Sequence, residues 1–114
     1  MNKYEKIIED LNNFMPPERN NADIYFCRGI AYYNLGQYQR SIEDFDKAIQ
    51  LKPNYARAYT KRGQAYEGLG QYQRAIEDFD KAIQVDPNRS PRPLVYQLRK
   101  IAYDELEQAH SAWS

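Results

Sequence analysis

The sequence has one cysteine, Cys27, and one histidine, His110, in 114 residues. A lone thiol cannot close an intramolecular disulfide, and one cysteine with one histidine builds no metal site at any usual ligand spacing. No metal and no cofactor are therefore expected. Long apolar runs are missing too: nothing approaches the roughly 20 residues that a helix needs to cross a bilayer, so no membrane partner is expected. Neither charge sign dominates, since 16 basic residues balance 16 acidic ones. A nucleic-acid partner finds no support in that balance. There is no glycine-rich phosphate loop, no histidine pair on a helix face and no nucleophile elbow, which argues against an enzyme. The stretch MNKYEKIIED carries charge without an apolar run or a small-residue cleavage site, so a secretory signal is not read here and a cytoplasmic address is the default expectation.

What the chain does have is repetition. GQYQRSIEDFDKAIQ at 36–50 returns as GQYQRAIEDFDKAIQ at 70–84, with Ser41 exchanged for Ala75. Tyr25, Gly29, Tyr32, Gly36, Tyr38, Phe45, Ala48 and Pro53 each recur 34 residues later, as Tyr59, Gly63, Tyr66, Gly70, Tyr72, Phe79, Ala82 and Pro87. A fixed period of this size marks stacked repeats. Taken backwards, the same offset carries Tyr38, Ile42 and Phe45 onto Tyr4, Ile8 and Leu11, so residues 1–15 read as the second half of a preceding unit. With 42% hydrophobic residues and a mean hydropathy of −0.92, the whole is one well-solvated domain with a modest core.

Each unit reads as two amphipathic helices. Tyr25, Gly29 and Tyr32, then Ile42, Phe45, Ala48 and Ile49, follow the spacing of one stripe on a 3.6-residue helix. Leu35-Gly36 and Leu69-Gly70 close the first helices, and Pro53 and Pro87 stop the second ones. Gly29 and Gly63 each cost about 1 kcal/mol inside a helix, an expense that close approach of the paired helix would offset.

These residues resemble the tetratricopeptide repeat family. The resemblance covers 22–89 as two full units, 22–55 and 56–89, and the half unit before them, through Gly29, Tyr32, Ser41 and Ala75, Phe45, Ala48, Pro53 and their counterparts. It implies an all-α, right-handed superhelical solenoid of about six helices. Tyr25 and Tyr59 stand where the family usually has tryptophan, and Arg28 and Arg62 where it usually has leucine. The arginines are expected to pair with helix-borne carboxylates such as Glu43, Asp44, Glu77 or Asp78.

Beyond Asn88 the pattern fails, and residues 90–114 read as one long capping helix. Ser90 is its expected N-cap and Pro91 its first residue, with Leu94, Leu98, Ile101, Leu106, Ala109 and Trp113 as its apolar residues. The phase of this cap is offset by a residue from the register of the repeats, which implies a small rotation.

The resemblance implies a function as well: recognition of a protein or peptide in a concave groove lined by the first helices. The expected groove residues are Asp23, Phe26, Cys27, Ile30, Tyr33 and Asn34 from the first unit and Arg57, Thr60, Lys61, Gln64 and Glu67 from the second. The units share their cores and differ mainly at these positions, which fits specificity carried by the groove. Phe26, Ile30 and Tyr33 form an apolar strip, and Arg57 and Lys61 lie one helix away, so the expected ligand has an apolar anchor beside an acidic group. One branch of the family grips the carboxy termini of chaperones with a lysine-asparagine clamp. Phe26 and Ile30 occupy the places of its first lysine and asparagine, which disfavours that ligand. Two other readings stand beside the adaptor: a homo-oligomer in which another copy covers the strip, and an engineered or recently duplicated scaffold without a native ligand. The repeated EDFDKA is read as solvated surface, Cys27 as a small, partly buried side chain near the groove, and His110 as solvated.

Overall fold

A computed structural model describes residues 1–13, 21–87 and 92–112. Among them are six α-helices and no strand: α1 Lys3–Asn13, α2 Ala22–Asn34, α3 Tyr38–Leu51, α4 Ala56–Gly68, α5 Tyr72–Val85 and α6 Arg92–Ala112. The expected cap residues Ser90 and Pro91, and Trp113, lie outside the described residues.

Local chemistry sets the helix ends. Asn2 and Glu5 cap α1 reciprocally, the Glu5 amide donating to Asn2 Oδ1 at 2.9 Å and the Asn2 amide to Glu5 Oε1 at 3.2 Å. Asn21 Oδ1 accepts from the Asp23 amide at 2.9 Å and caps α2. At the other end of α2, Gly36 takes φ 75°, a left-handed value that glycine reaches without cost. There the amides of Gln37 and Gly36 donate back to the carbonyls of Tyr32 and Tyr33, both at 2.9 Å. Gly70 repeats the device after α4, with φ 76° and the same 2.9 Å bonds from Gln71 to Tyr66 and from Gly70 to Glu67.

Each helix packs on the next in chain order, and α2, α4 and α6 also touch, whereas α1, α3 and α5 make no contact with one another among the described residues. The first helices thus form the inner layer and the second helices splay outward, which is the geometry of a helical repeat solenoid. Within each pair the fit depends on Phe45 and Phe79, both fully buried, lying over Gly29 and Gly63. Two aromatic clusters result, one around Phe45, Phe26 and Tyr55 and one around Phe79, Tyr59 and Ile76.

The arginines are structural. Arg62 donates from Nε and Nη2 to the two carboxylate oxygens of Asp78 at 2.9 and 2.7 Å, and from Nη1 to Asp46 at 2.8 Å. Arg28 makes the same fork to Asp44, at 2.9 and 2.7 Å, with Asn12 in the place of Asp46. Of the four carboxylates the sequence offered, the aspartates are the partners. Burial opposes the charge on Arg62, and the bonds to Asp78 and Asp46 outweigh it, holding the guanidinium above its ordinary pKa.

The cap corrects the expectation for its apolar face. Val95 and Ala102 are buried, with Leu98 and Leu106 packed on the same cluster, while Leu94 and Ile101 are 47% and 49% exposed. The reason is a longer connection. Ala58, Tyr59, Arg62 and Ala65 of α4 reappear in α6 as Val95, Tyr96, Arg99 and Ala102, 37 residues on instead of 34. Arg99 Nη1 reaches Asp80 at 2.8 Å, as Arg62 Nη1 reaches Asp46. Three additional residues before α6 therefore reset the phase, and α6 is a first-type helix in all but its glycine.

Candidate functional site

The inner face is built from side chains of α2, α4 and α6 that point away from the splayed second helices. Taken in order along α2, the structure separates the expected groove residues into three groups.

Phe26 is not an open anchor. It is 3% exposed, its ring lying 5.0 Å from that of Tyr55 and 5.9 Å from that of Phe45. Because α2 is packed against α1, α3 and α4 at once, little of its circumference stays free, and a large ring one helical step off the main stripe is drawn into the core. Ile30 and Tyr33 are half-buried, Ile30 against the Phe26 cluster and Tyr33 edge-on to Tyr38 at 5.4 Å. The apolar strip is thus narrower than the sequence spacing implied. Cys27, expected to be partly buried, is exposed instead.

A second group is occupied in holding the scaffold. Tyr55 donates its hydroxyl proton to Asp23 Oδ1 at 2.7 Å, tying the start of α4 to the start of α2. Burial and this bond raise the phenol well above its usual pKa. Asn34 Nδ2 donates to the Ile30 carbonyl at 2.9 Å and Thr60 Oγ1 to the Ala56 carbonyl at 3.1 Å, each within its own helix.

The third group is chemically open. Arg57 is exposed, its guanidinium 5.1 Å from the centre of the Phe26 ring, a cation–π placement that fixes the head over an apolar floor. Lys61 lies one turn further along α4, and its pKa is lowered by burial and by the charge of Arg57. Two cations one turn apart on the same helix favour an anion between them. Gln64 follows one turn on, half-buried. Glu67 ends the row with the opposite charge: its Oε2 is buried without a hydrogen-bond partner, and the carboxyl is raised to about 7 by burial and by Glu105 of α6. Along α4 the face therefore runs from basic to acidic.

Sequence reasoning missed two contributors from α6. Leu94 and Ile101 correspond in the 37-residue offset to Arg57 and Gln64, which puts their exposed side chains on the same inner face. The signal that could have found them was the triad Tyr25–Arg28, Tyr59–Arg62 and Tyr96–Arg99. Among the described residues no group of three histidine, cysteine, aspartate or glutamate side chains could hold a metal ion. No helix there is long and apolar enough to cross a membrane.

Comparison with known proteins agrees with this geometry. A family model described as tetratricopeptide repeat matches residues 56–89, and one described as TPR repeat matches 31–70. No curated protein matches the chain. Among solved structures, the second TPR domain of human RPAP3, in complex with the HSP70 peptide SGPTIEEVD, superposes with a TM-score of 0.80 at 26% identity, covering 89% of this chain and 82% of that one. The TPR2B domain of yeast Sti1, in a complex with pHsp70, gives 0.84 at 26% identity over 90% and 84%. The first TPR of Spaghetti (RPAP3), bound to the HSP90 peptide SRMEEVD, gives 0.78 at 26% identity over 90% and 79%.

Proposed function

The chain belongs to the tetratricopeptide repeat family, and we propose that it is a peptide-binding interaction module whose inner face takes an acidic peptide with an apolar side chain. Arg57 and Lys61 receive the carboxylate, and Ile30, with Leu94 and Ile101 across the face, supplies the apolar surface. The observation that carries this reading is the Arg57–Lys61 pair, Arg57 fixed over the buried Phe26 ring and Lys61 one turn further along α4, close enough to feel its charge.

The relatives support the class of ligand. The peptides named in two of their complexes, SGPTIEEVD and SRMEEVD, both end in two glutamates, a valine and an aspartate. Ile30, Leu94 and Ile101 make this face more apolar than a purely carboxylate-binding one, so a peptide with a larger apolar residue upstream of its acid is preferred. Electrostatic attraction steers such a ligand, and the desolvated apolar contact holds it.

A peptide array that varies acidic and apolar positions independently tests the proposal. Retention of sequences with both features, lost with the Arg57→Glu and Lys61→Glu double variant, is expected. Selection of basic or uncharged sequences, or an unchanged selection by the double variant, would contradict it.

A further inference from the structure

The two ends of the stack are complementary halves. α1 is a second-type helix that packs on α2 alone; no first-type helix lies on its opposite face among the described residues, and none of its residues is buried. At the other end, α6 is a first-type helix whose outward face, marked by the half-exposed Tyr103, has no second-type helix on it among the described residues. We propose that copies of this chain associate head to tail, α6 of one lying against α1 of the next, so that the two halves complete one helix pair across the contact.

The repeat offsets state what would meet what. Arg62 uses Nε and Nη2 on Asp78 and Nη1 on Asp46, whereas among the described residues its counterpart Arg99 bonds only Asp80, through Nη1. The position of Asp44 and Asp78 on α1 is held by Asp10. Asp10 is half-exposed and, among the described residues, engaged only with Lys6, 3.3 Å away on its own helix, a weak surface pair that exchanges readily. Tyr32 and Tyr66 lie beneath Arg40 and Arg74 at 5.7 and 5.6 Å. Their counterparts across the contact are Tyr103 and Lys6, again an aromatic ring and a cation. Two charge-bearing contacts of the intact pair are thus written into the separated halves.

The packing positions change together as well. Gly29 and Gly63 admit the rings of Phe45 and Phe79, whose Cε1 atoms would lie 2.6 Å from an added Cβ. In α6 the glycine is replaced by Lys100, and in α1 the phenylalanine by Leu11. The smaller side chain lacks the outer ring atoms that a Cβ would strike. Ile7 in place of Ser41 and Ala75 fills the wider gap that Lys100 imposes. Different surfaces meet on the two copies, so the contact is heterologous and can repeat from copy to copy. The inner face is not used, and this association is independent of peptide binding.

Sedimentation velocity on the 114-residue chain tests the proposal through its polarity. The wild-type mass is expected to rise with concentration past twice the chain mass. Asp10→Arg disables the head and Arg99→Ala the tail, and each is expected to shift association to concentrations higher on the order of tenfold or more. Mixed where each alone is monomeric, the two variants retain one intact head and one intact tail between them. They are expected to form a one-to-one dimer and nothing larger, while Ile30→Glu associates like the wild type. Asp10→Asn, which conserves volume, repeats the test should the arginine disturb α1. A wild-type mass fixed at 13.5 kDa at every concentration would overturn the proposal. So would variants that associate unchanged, a mixture that behaves as its separate components, or dissociation by Ile30→Glu.

Discussion

Gly63 lies against Phe79 so closely that a Cβ on the glycine would stand 2.6 Å from Cε1 of the ring. Gly63→Leu is therefore expected to push α4 from α5 and cost about 1–3 kcal/mol, as overpacking does. Gln64→Ala, one residue along and on the inner face, is expected to stay within about 0.5 kcal/mol. Urea titrations of both variants measure the contrast, and equal losses would mean that the helix has been assigned the wrong phase.

The Arg62–Asp78 fork bears on stability in a different way. Removing one partner strands a buried charge, so Arg62→Met is expected to destabilise by about 3–5 kcal/mol, while adding Asp78→Leu restores most of the loss because both charges then leave the interior together. Thermal denaturation of the single and double variants decides this. A double variant as unstable as the single would contradict the explanation by stranded charge.

Glu67 gives the fold a pH dependence whose sign is fixed. Its carboxyl is raised from 4.5 to about 7 by burial and by Glu105, with Tyr33 of α2 and Tyr72 of α5 also facing this pair. A group that binds its proton more tightly folded than unfolded adds stability that is complete below the unfolded pKa and is lost as pH rises through the folded one. The contribution is thus full below about pH 4.5 and gone above about pH 7. Glu67→Gln, which resembles the protonated form, is expected to gain in melting temperature over the wild type between those limits and to keep that gain at higher pH. A wild-type-minus-variant difference that does not vary with pH would show that the carboxyl is not shifted.

The architecture could be read from the sequence because the residues that make it are those with few substitutes. Glycines under a phenylalanine ring, glycines at left-handed helix ends and the tyrosine stripe leave a period that the eye can follow. Phe26 was misread for the opposite reason. An inner helix contacted on three sides is apolar on more than one face, so spacing alone cannot separate a buried ring from an exposed anchor. The cap was out of phase because its three additional residues fall in the proline-rich SPRP stretch, where the 34-residue count breaks while the Tyr-x-x-Arg signature survives in Tyr96 and Arg99. Of the groove itself, Arg57 and Lys61 were visible as charges. The placement of Arg57 over an apolar floor was not, since it depends on where Phe26 goes.

Val95 and Ala102 join Phe79 and Ile76 in one buried cluster, which makes α6 part of the second unit's core. Deleting residues 90–114 is accordingly expected to abolish cooperative melting or cause precipitation, because a repeat buries its stripe only against a neighbour. Circular dichroism on the shortened chain checks this; a soluble protein with a sharp transition would contradict the role given to α6.

The account rests on the inner face being the face that binds. The most direct measurement is a titration of isotopically labelled protein with an acidic, apolar peptide selected on the array, followed through backbone amide resonances. The expected result is shifts concentrated at Ile30, Arg57, Lys61, Gln64 and Ile101, fading with added salt as charge attraction is screened. Shifts concentrated instead at Glu43, Asp46, Glu77 and Asp80 of the outer helices would contradict it.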